Sequence, residues 1–328
     1  MKILHSLLNI EINFKITYLL DEICFIDIET TGLSRKYNQI YLIGLLNYDN
    51  INKSWQLTQF FSESISEEEL ILREFKSEVL KYKYIITYNG DNFDIPFINE
   101  KFKKYNIETI DIESIDLYKV LRSNKDFIEF SNLKLKTIEK ELGIDREDTF
   151  TGLECIEFYK NYIITKSDSF FNYIVKHNRD DLYSMPKLLK IFEIIKENSS
   201  IEIDIYNEKI TLELLSIEQS GDLILISGKS FSSLEFSSEY YTNFYSFTLN
   251  KDRSFQMKIE IKTARIDETI IAYYVDIIKL GLNEGIKDLS GQSPPNNILI
   301  LRIHKQNILI NIKNLIKEIV KTENINFI

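Results

Sequence analysis

Cysteine is nearly absent from this chain of 328 residues; the only two, Cys24 and Cys155, sit in apolar-looking segments. A disulfide framework is therefore excluded as the source of stability. No run approaches the roughly 18 apolar residues that a bilayer span requires. The stretch from Met1 to Leu8 carries one lysine, is broken by Asn9 and Glu11, and leads to no small-residue cleavage site. That pattern argues against a signal peptide and, with the scarce cysteine, for a cytoplasmic protein without a membrane partner. A basic excess is missing as well. The net charge is −10, and both the first 200 residues and the remainder are net negative. Holding a polyanion by charge alone is thereby excluded. There is no internal repeat and no low-complexity tract, and the length suits one large domain or, better, two.

What is present is a run of four apolar residues leading into two acids: Ile23-Cys24-Phe25-Ile26-Asp27-Ile28-Glu29-Thr30-Thr31-Gly32-Leu33. Such a run reads as a buried strand. Side chains alternate across a strand, so Asp27 and Glu29 share one face, about 7 Å apart along it. Two buried carboxylates suffer desolvation and mutual repulsion. A divalent cation removes both penalties, and Mg²⁺ and Mn²⁺ take oxygen ligands. Gly32 supplies a turn just past the acids. The competing reading is an edge strand with two solvated acids.

Further strands are expected at Ile40–Leu46 and Trp55–Phe61; their short connections favour antiparallel neighbours. A helix follows over about 66–81, with Ser66 and Glu69 in capping-box spacing. Tyr84–Tyr88 reads as a strand ending at Asn89-Gly90, and a helix begins near Pro96, a residue suited to a first turn. Leu133–Leu142 reads as a helix stopped by Gly143, and 167–196 as one long helix bent at Pro186. After Asn198-Ser199-Ser200 the pattern changes to alternation, as in Ile201-Ile203-Ile205, Leu223-Leu225 and Phe255-Met257-Ile259-Ile261. A strand at Ile298–Ile303 and a closing helix near 308–320 complete the chain. The expected fold class is α/β: a mixed sheet flanked by helices over residues 1–198, followed by a β-rich α+β domain over 199–328.

Two more acidic stations follow the first. Asp94, in Asn89-Gly90-Asp91-Asn92-Phe93-Asp94-Ile95-Pro96, lies at a helix N-terminus, where a negative charge is favourable. Capping is its plain structural role, and Asp91 is the competing acid, placed like a turn residue. The third station is His177-Asn178-Arg179-Asp180-Asp181. At 100° per residue, His177 and Asp181 fall on the side of Ile174, Leu182, Met185 and Leu188, whereas Asp180 falls outward. His5 and His304 have no acids at ligand spacing and read as surface or packing residues.

Asp27-Ile28-Glu29-Thr30-Thr31-Gly32-Leu33, Asn89 with Phe93-Asp94, and His177 with Asp181 together resemble the three exonuclease motifs of the DEDD superfamily, which has a ribonuclease H-like fold. Tyr88-Asn89-Gly90, Phe93-Asp94-Ile95-Pro96-Phe97, Ile115-Asp116-Leu117 and His177-Asn178 resemble the bacterial YprB-type ribonuclease H-like domain more closely. The resemblance covers about residues 20–195. It implies a 3′–5′ exonuclease that hydrolyses DNA or RNA with two divalent metal ions, Mg²⁺ or Mn²⁺. The implied ligands are Asp27, Glu29, Asp94 and Asp181, with His177 as general base. Thr30, Thr31, Leu33, Asn89 and Phe93 are implied to meet the single-stranded 3′ end of a nucleic acid substrate. Three residues separate His177 from Asp181, where the usual histidine subgroup has four, and this leaves the subclass open. A ribonuclease H-like endonuclease and a non-catalytic nucleic-acid-binding module are the alternatives. The acidic net charge is less of an obstacle for such an enzyme, because bound cations meet the phosphate.

No protein partner is indicated. In the C-terminal region Phe231, Phe236, Tyr240, Tyr241, Phe244, Tyr245 and Phe247 form a dense aromatic group. It is either the core of a sheet or, in part, a base-stacking surface. Neighbouring strand residues face opposite sides, so one of Tyr240 and Tyr241 is expected outward.

Overall fold

A computed structural model of the chain describes residues 1–322 apart from Thr17, Asp148, 206–207, 232–237 and 283–284. Two compact units are present: residues 1–123 with 130–193, and residues 124–129 with 194–328.

In the first unit the strands are β1 (Lys2–Leu8), β2 (Ile23–Thr30), β3 (Ile40–Asp49), β4 (Ser54–Phe61), then α1 (Glu68–Val79), β5 (Tyr84–Thr87), α2 (Asp94–Lys104) and β6 (Glu113–Asp116). The helices α3 (Leu117–Ser123), α4 (Leu135–Glu141), α5 (Gly152–Thr165) and α6 (Asp168–Leu188) follow, and α7 (Lys190–Ser199) runs from the end of the first unit into the second. Six strands form one sheet in the order β1-β4-β3-β2-β5-β6. The β1–β4, β4–β3 and β3–β2 pairs are antiparallel, and β2–β5 and β5–β6 are parallel. This is the expected mixed sheet flanked by helices, and β2 lies inside it with a neighbour on each side.

Alternation along β2 decides which helices it meets. Cys24, Ile26 and Ile28 pack with Ile71, Leu72 and Phe75 of α1 and with Phe97 and Phe102 of α2. Asp27 and Glu29 point to the other face, where α6 packs across β2 and β3. The pairing of β2 with β3 shifts register between Glu29 and Thr30, a bulge at the end of the acidic segment. Helices α1 and α2 are tied through Glu68, whose carboxylate accepts from the Ile40 amide at 2.8 Å and from Lys104 Nζ at 3.0 Å.

Two helix expectations are corrected. Helix α1 begins at Glu68 after a 3₁₀ turn over Ile65–Glu67, and Ser66 makes no cap. The side chain of Glu67 instead takes the Glu63 amide at 2.7 Å and the N-terminal amine at 2.7 Å. The long helix is two helices, α6 and α7, parted at Leu189. Pro186 has no N–H to donate, yet the helix continues through it to Leu188 and the break falls at Leu189. Strand β1 and helix α5 were absent from the sequence-based expectation.

The second unit contains β7 (Ser200–Ile205), β8 (Glu208–Ser220), β9 (Leu223–Phe231), β10 (Ser238–Tyr241), β11 (Tyr245–Leu249) and β12 (Ser254–Glu260). They form an antiparallel sheet in the order β10-β11-β12-β9-β8-β7. A smaller sheet joins β13 (Lys262–Arg265), β14 (Ile271–Asp276), β15 (Ile298–Ile303) and β16 (Gln306–Asn307), and α8 (Leu309–Thr322) follows. The alternating residues Ile201, Ile203, Phe255, Met257 and Ile259 share a core with Ile312, Leu315 and Ile319 of α8. No linker separates α7 from β7, since the helix ends at Ser199 and the strand starts at Ser200. Of the aromatic group, Tyr245 and Phe247 are core and Tyr240 packs against it, while Tyr241, Phe231 and Phe244 are exposed. Phe236 lies outside the described residues. Among the described residues no helix is long and apolar enough to cross a membrane, and no disulfide joins the buried Cys24 and Cys155.

The approach of α6 to the sheet depends on Gly44 of β3, which pairs with Asp27 on one side and Gln59 on the other. A Cβ there would lie 2.3 Å from both Asn178 Oδ1 and Leu182 Cδ1. Gly44→Ala is therefore expected to lower stability by about 2 kcal/mol through overpacking. Denaturant unfolding measures this, and a variant as stable as the parent would show that α6 can retreat without cost.

Candidate metal centre

Three elements bring the acidic stations together. Strand β2 supplies Asp27 and Glu29, the start of α2 supplies Asp94, and α6 supplies His177, Asn178 and Asp181. Nε2 of His177 lies 3.8 Å from Glu29 Oε1 and 3.8 Å from Asp181 Oδ2. One ligand atom from each of Glu29, His177 and Asp181 falls within 4.8 Å of the others, a spacing that a single cation can bridge. Asp27 and Asp94 flank this group. Asp27 is held by Asn178, whose Nδ2 donates to Asp27 Oδ2 at 2.7 Å and to its carbonyl at 3.2 Å. Asn178 is itself oriented by Gln59 Nε2, which donates to Asn178 Oδ1 at 2.8 Å and to the Val175 carbonyl at 3.0 Å.

Asp94 is the first residue of α2, yet its side chain does not cap that helix. Its Oδ1 accepts from the Ile28 amide at 3.1 Å, which draws the second station against the middle of β2. Asp91, the competing acid, points away and pairs with Lys119 at 2.7 Å. The turn leading to Asp94 is fixed by buried Asp116, which accepts from the Asn89 amide at 2.7 Å, the Asp91 amide at 3.2 Å and the Tyr118 amide at 2.9 Å. Asn89 adopts a left-handed φ of 62°, a conformation asparagine tolerates better than most residues.

The outward placement of Asp180 is corrected. Asp181 does face Glu29 and His177, but Asp180 is the more buried of the two aspartates. Helical phase treats that flank of α6 as solvent, whereas Leu7 and Leu8 of β1 and the segment Asp145–Glu147 enclose it in a cavity of about 340 Å³. The segment also carries Arg146, which the sequence-based reasoning missed. Arg146 forms an ion pair with Asp181 Oδ1, and its other amine reaches Glu139 of α4 at 3.2 Å. No local motif marks Arg146, because its partners lie 35 and 7 residues away.

Of the implied substrate contacts, Leu33 is fully presented to solvent at 84% exposure. Thr30 is buried with its hydroxyl donating to the Gly32 carbonyl at 2.8 Å, and Thr31 Oγ1 accepts from the Gln39 amide at 2.9 Å. Asn89 Oδ1 accepts from Asn92 at 2.9 Å. Phe93 is half-buried, its ring 5.5 Å from Phe97. Leu33 thus remains open, while Thr30, Thr31 and Asn89 shape the backbone around the acids. His5 and His304 are both exposed.

Burial raises the pKa of Asp27, and the nearby Asp181, Glu29 and Asp94 charges raise it further. Burial pushes Glu29 up to about 8, opposed by His177 and reinforced by Asp181 and Asp94. Burial also pushes Asp94 up to about 7, against the Ile28 amide that favours its charged form. A cluster that cannot ionise freely alone, built of hard oxygen donors with one imidazole, fits a divalent cation.

The RNase_H superfamily family model matches residues 24–192. The DNA polymerase III PolC-type of Ureaplasma parvum serovar 3 is 29% identical over 142 residues, which is 37% of this chain and 10% of that protein. Among solved structures, the family B DNA polymerase of Pyrobaculum calidifontis has a TM-score of 0.41 at 14% identity, covering 52% of this chain and 24% of the other. Exonuclease I of E. coli in complex with a dT13 oligonucleotide has a TM-score of 0.33 at 13% identity, covering 62% and 54%. The chain thus spans a tenth of the polymerase it matches in sequence and between a quarter and about half of these solved chains.

The raised carboxyl pKa values carry a sign for stability. Unfolded Asp and Glu titrate near about 4, so between there and about 8 the folded state binds more protons than the unfolded one. Stability from this cluster is therefore lost as pH rises through that window. In EDTA the melting temperature is expected to fall from pH 5 to pH 8, and added Mn²⁺ should recover more at pH 8 than at pH 5. A melting temperature indifferent to Mn²⁺ at both pH values would count against a metal centre.

Proposed function

The chain belongs to the RNase_H superfamily, and from that membership we propose that it is a metal-dependent 3′–5′ exonuclease hydrolysing phosphodiester bonds of DNA or RNA. The observation that carries this reading is the convergence of Glu29, Asp181 and His177, with Asp27 and Asp94 beside them, which sets an imidazole against carboxylates able to take cations. The exonuclease domain is assigned to residues 1–198, and 199–328 form a separate β-rich domain. Asp27, Glu29, Asp94 and Asp181 are the residues that would hold two divalent ions. Such ions supply charge stabilisation to the attacking and leaving oxygens of an in-line displacement.

The chain's own groups account for the remaining steps. His177 places Nε2 3.8 Å from two carboxylates, where an imidazole nitrogen can take a proton from water. Asn178 fixes the direction of the Asp27 carboxylate, so that its free oxygen is not free to rotate away. Leu33, exposed four residues past Glu29, offers an apolar surface to the base of a single-stranded 3′ end. Thr30, Thr31, Asn89 and Phe93 set the backbone against which that nucleotide rests.

End-labelled single- and double-stranded DNA and RNA, incubated with Mn²⁺ and with EDTA, separate the readings. A ladder shortening from the 3′ end, only with metal, is the expected result. Internal cuts would select an endonuclease, and retained but uncut substrate a binding module. Asp27→Asn is expected to abolish hydrolysis while leaving the protein folded, and turnover near that of the parent would sink the metal-site reading. Asp181→Asn should lose activity by orders of magnitude and Asp180→Asn far less. His177→Gln should lose activity and regain part of it at high pH, where hydroxide replaces the base; a pH profile parallel to the parent would remove His177 from that role.

A further inference from the structure

The loop from Thr31 to Asn38 leaves β2 just beyond the acids and is closed on itself. The Thr31 amide donates to the Gln39 carbonyl at 2.9 Å, the Asn38 amide to the Ser34 carbonyl at 2.8 Å, and the Ser34 amide to Asn38 Oδ1 at 2.9 Å. Arg35 Nη2 donates to the Asn92 carbonyl at 2.5 Å, joining the loop to the turn that precedes Asp94. A loop held at both acidic stations can place side chains against whatever occupies the site between them. Its tip carries Tyr37, 79% exposed and the most exposed aromatic ring among the described residues. Lys36 Nζ lies 5.5 Å from that ring.

The charge of this segment is unlike that of the chain. No acid occurs from Thr30 through Tyr48, whereas Arg35 and Lys36 sit side by side at the loop's tip in a protein of net charge −10. An exposed ring has no core to fill, and a pinned loop loses little further entropy when it takes a ligand. A π-face with Lys36 beside it and Arg35 next along the chain matches a nucleic acid strand, with base stacked on ring and phosphate near the cations. We propose that the β2–β3 loop forms a subsite for the nucleotide next to the one held at the acids, with Tyr37 stacking on its base and Arg35 and Lys36 meeting its phosphates. The inference rests on the exonuclease reading and extends it. Stacking is tolerant of base identity, so the subsite contributes affinity without sequence preference.

The test uses the full chain in an Asp27→Asn background, so that substrate is not consumed. The single tryptophan, Trp55, is buried at 4% exposure; Tyr37→Trp therefore adds one exposed reporter. Its fluorescence is expected to be quenched by oligothymidylates of two to four nucleotides and not by the mononucleotide. Tyr37→Ala is expected to lose about tenfold in affinity for the oligonucleotides, in line with one stacked base, and Tyr37→Phe to retain it. Arg35→Ala with Lys36→Ala should flatten the salt dependence of binding. If Tyr37→Ala binds every length as its parent does while the wild-type chain degrades oligonucleotides, this inference falls and the exonuclease reading stands. If the parent binds no oligonucleotide and the wild type degrades none, both fall.

Discussion

The site depends on one contact: Asn178 of α6 reaching Asp27 of β2. A half-buried carboxylate on an inner strand is favoured where a polar group meets it. Here the helix brings an amide, and the sheet makes room for it. Gly44 leaves a notch beside Asp27 into which Asn178 and Leu182 fit, and Gln59 on the next strand turns the amide so that its N–H₂ faces the acid. Once α6 is seated in this way, its period carries His177 and Asp181 to the Glu29 end of the same face. Geometry that looks like catalytic design is thus first a solution to burying one charge.

The same arrangement leaves the electrostatics incomplete. Five ionisable groups converge, and Arg146 is the cation that reaches one of them, at Asp181. Arg146 is itself bound to buried Glu139, so its charge is shared between two carboxylates and does little for Asp27 or Asp94. Protonation can relieve the cluster, as the raised pKa values of Glu29 and Asp94 indicate. It does so only by removing the negative charges that phosphate chemistry needs the site to offer to cations. Support from Glu139 and Arg146 therefore orients Asp181 without satisfying the cluster, which is the usual division of labour between groups that touch a metal and those behind them.

Much of this was legible in the sequence wherever a fixed period did the work. Strand alternation put Asp27 and Glu29 on one face, and helical spacing put His177 and Asp181 together. The mixed sheet, the alternating second region and the expectation that one of Tyr240 and Tyr241 faces outward followed from the same periods. What escaped depends on partners distant in sequence. Asp180 is buried because β1 and the 145–147 segment cover its flank, a fact no helical wheel contains. Ser66 has the spacing of a cap with Glu69, yet it lies inside the 3₁₀ turn Ile65–Glu67 and Glu69 pairs with Arg73. Gly44 and Gln59 read as ordinary strand residues until α6 is laid across them, and Arg146 carries no motif of its own.

An acidic chain with the nuclease function we propose would have to separate attraction from repulsion in space. The carboxylates occur where β2, α2 and α6 converge, on rigid elements whose positions are fixed by main-chain hydrogen bonds and packing. The loop beside them is free of acids and carries Arg35, Lys36 and Tyr37 on a backbone held by its own hydrogen bonds. Under the proposed function long-range attraction is weak, and a strand would gain affinity by lying along this loop with its terminal phosphate at the acids. Recognition of that kind favours a strand end over continuous duplex, because only an unpaired base exposes a face to Tyr37 while its neighbour reaches between β2 and α6.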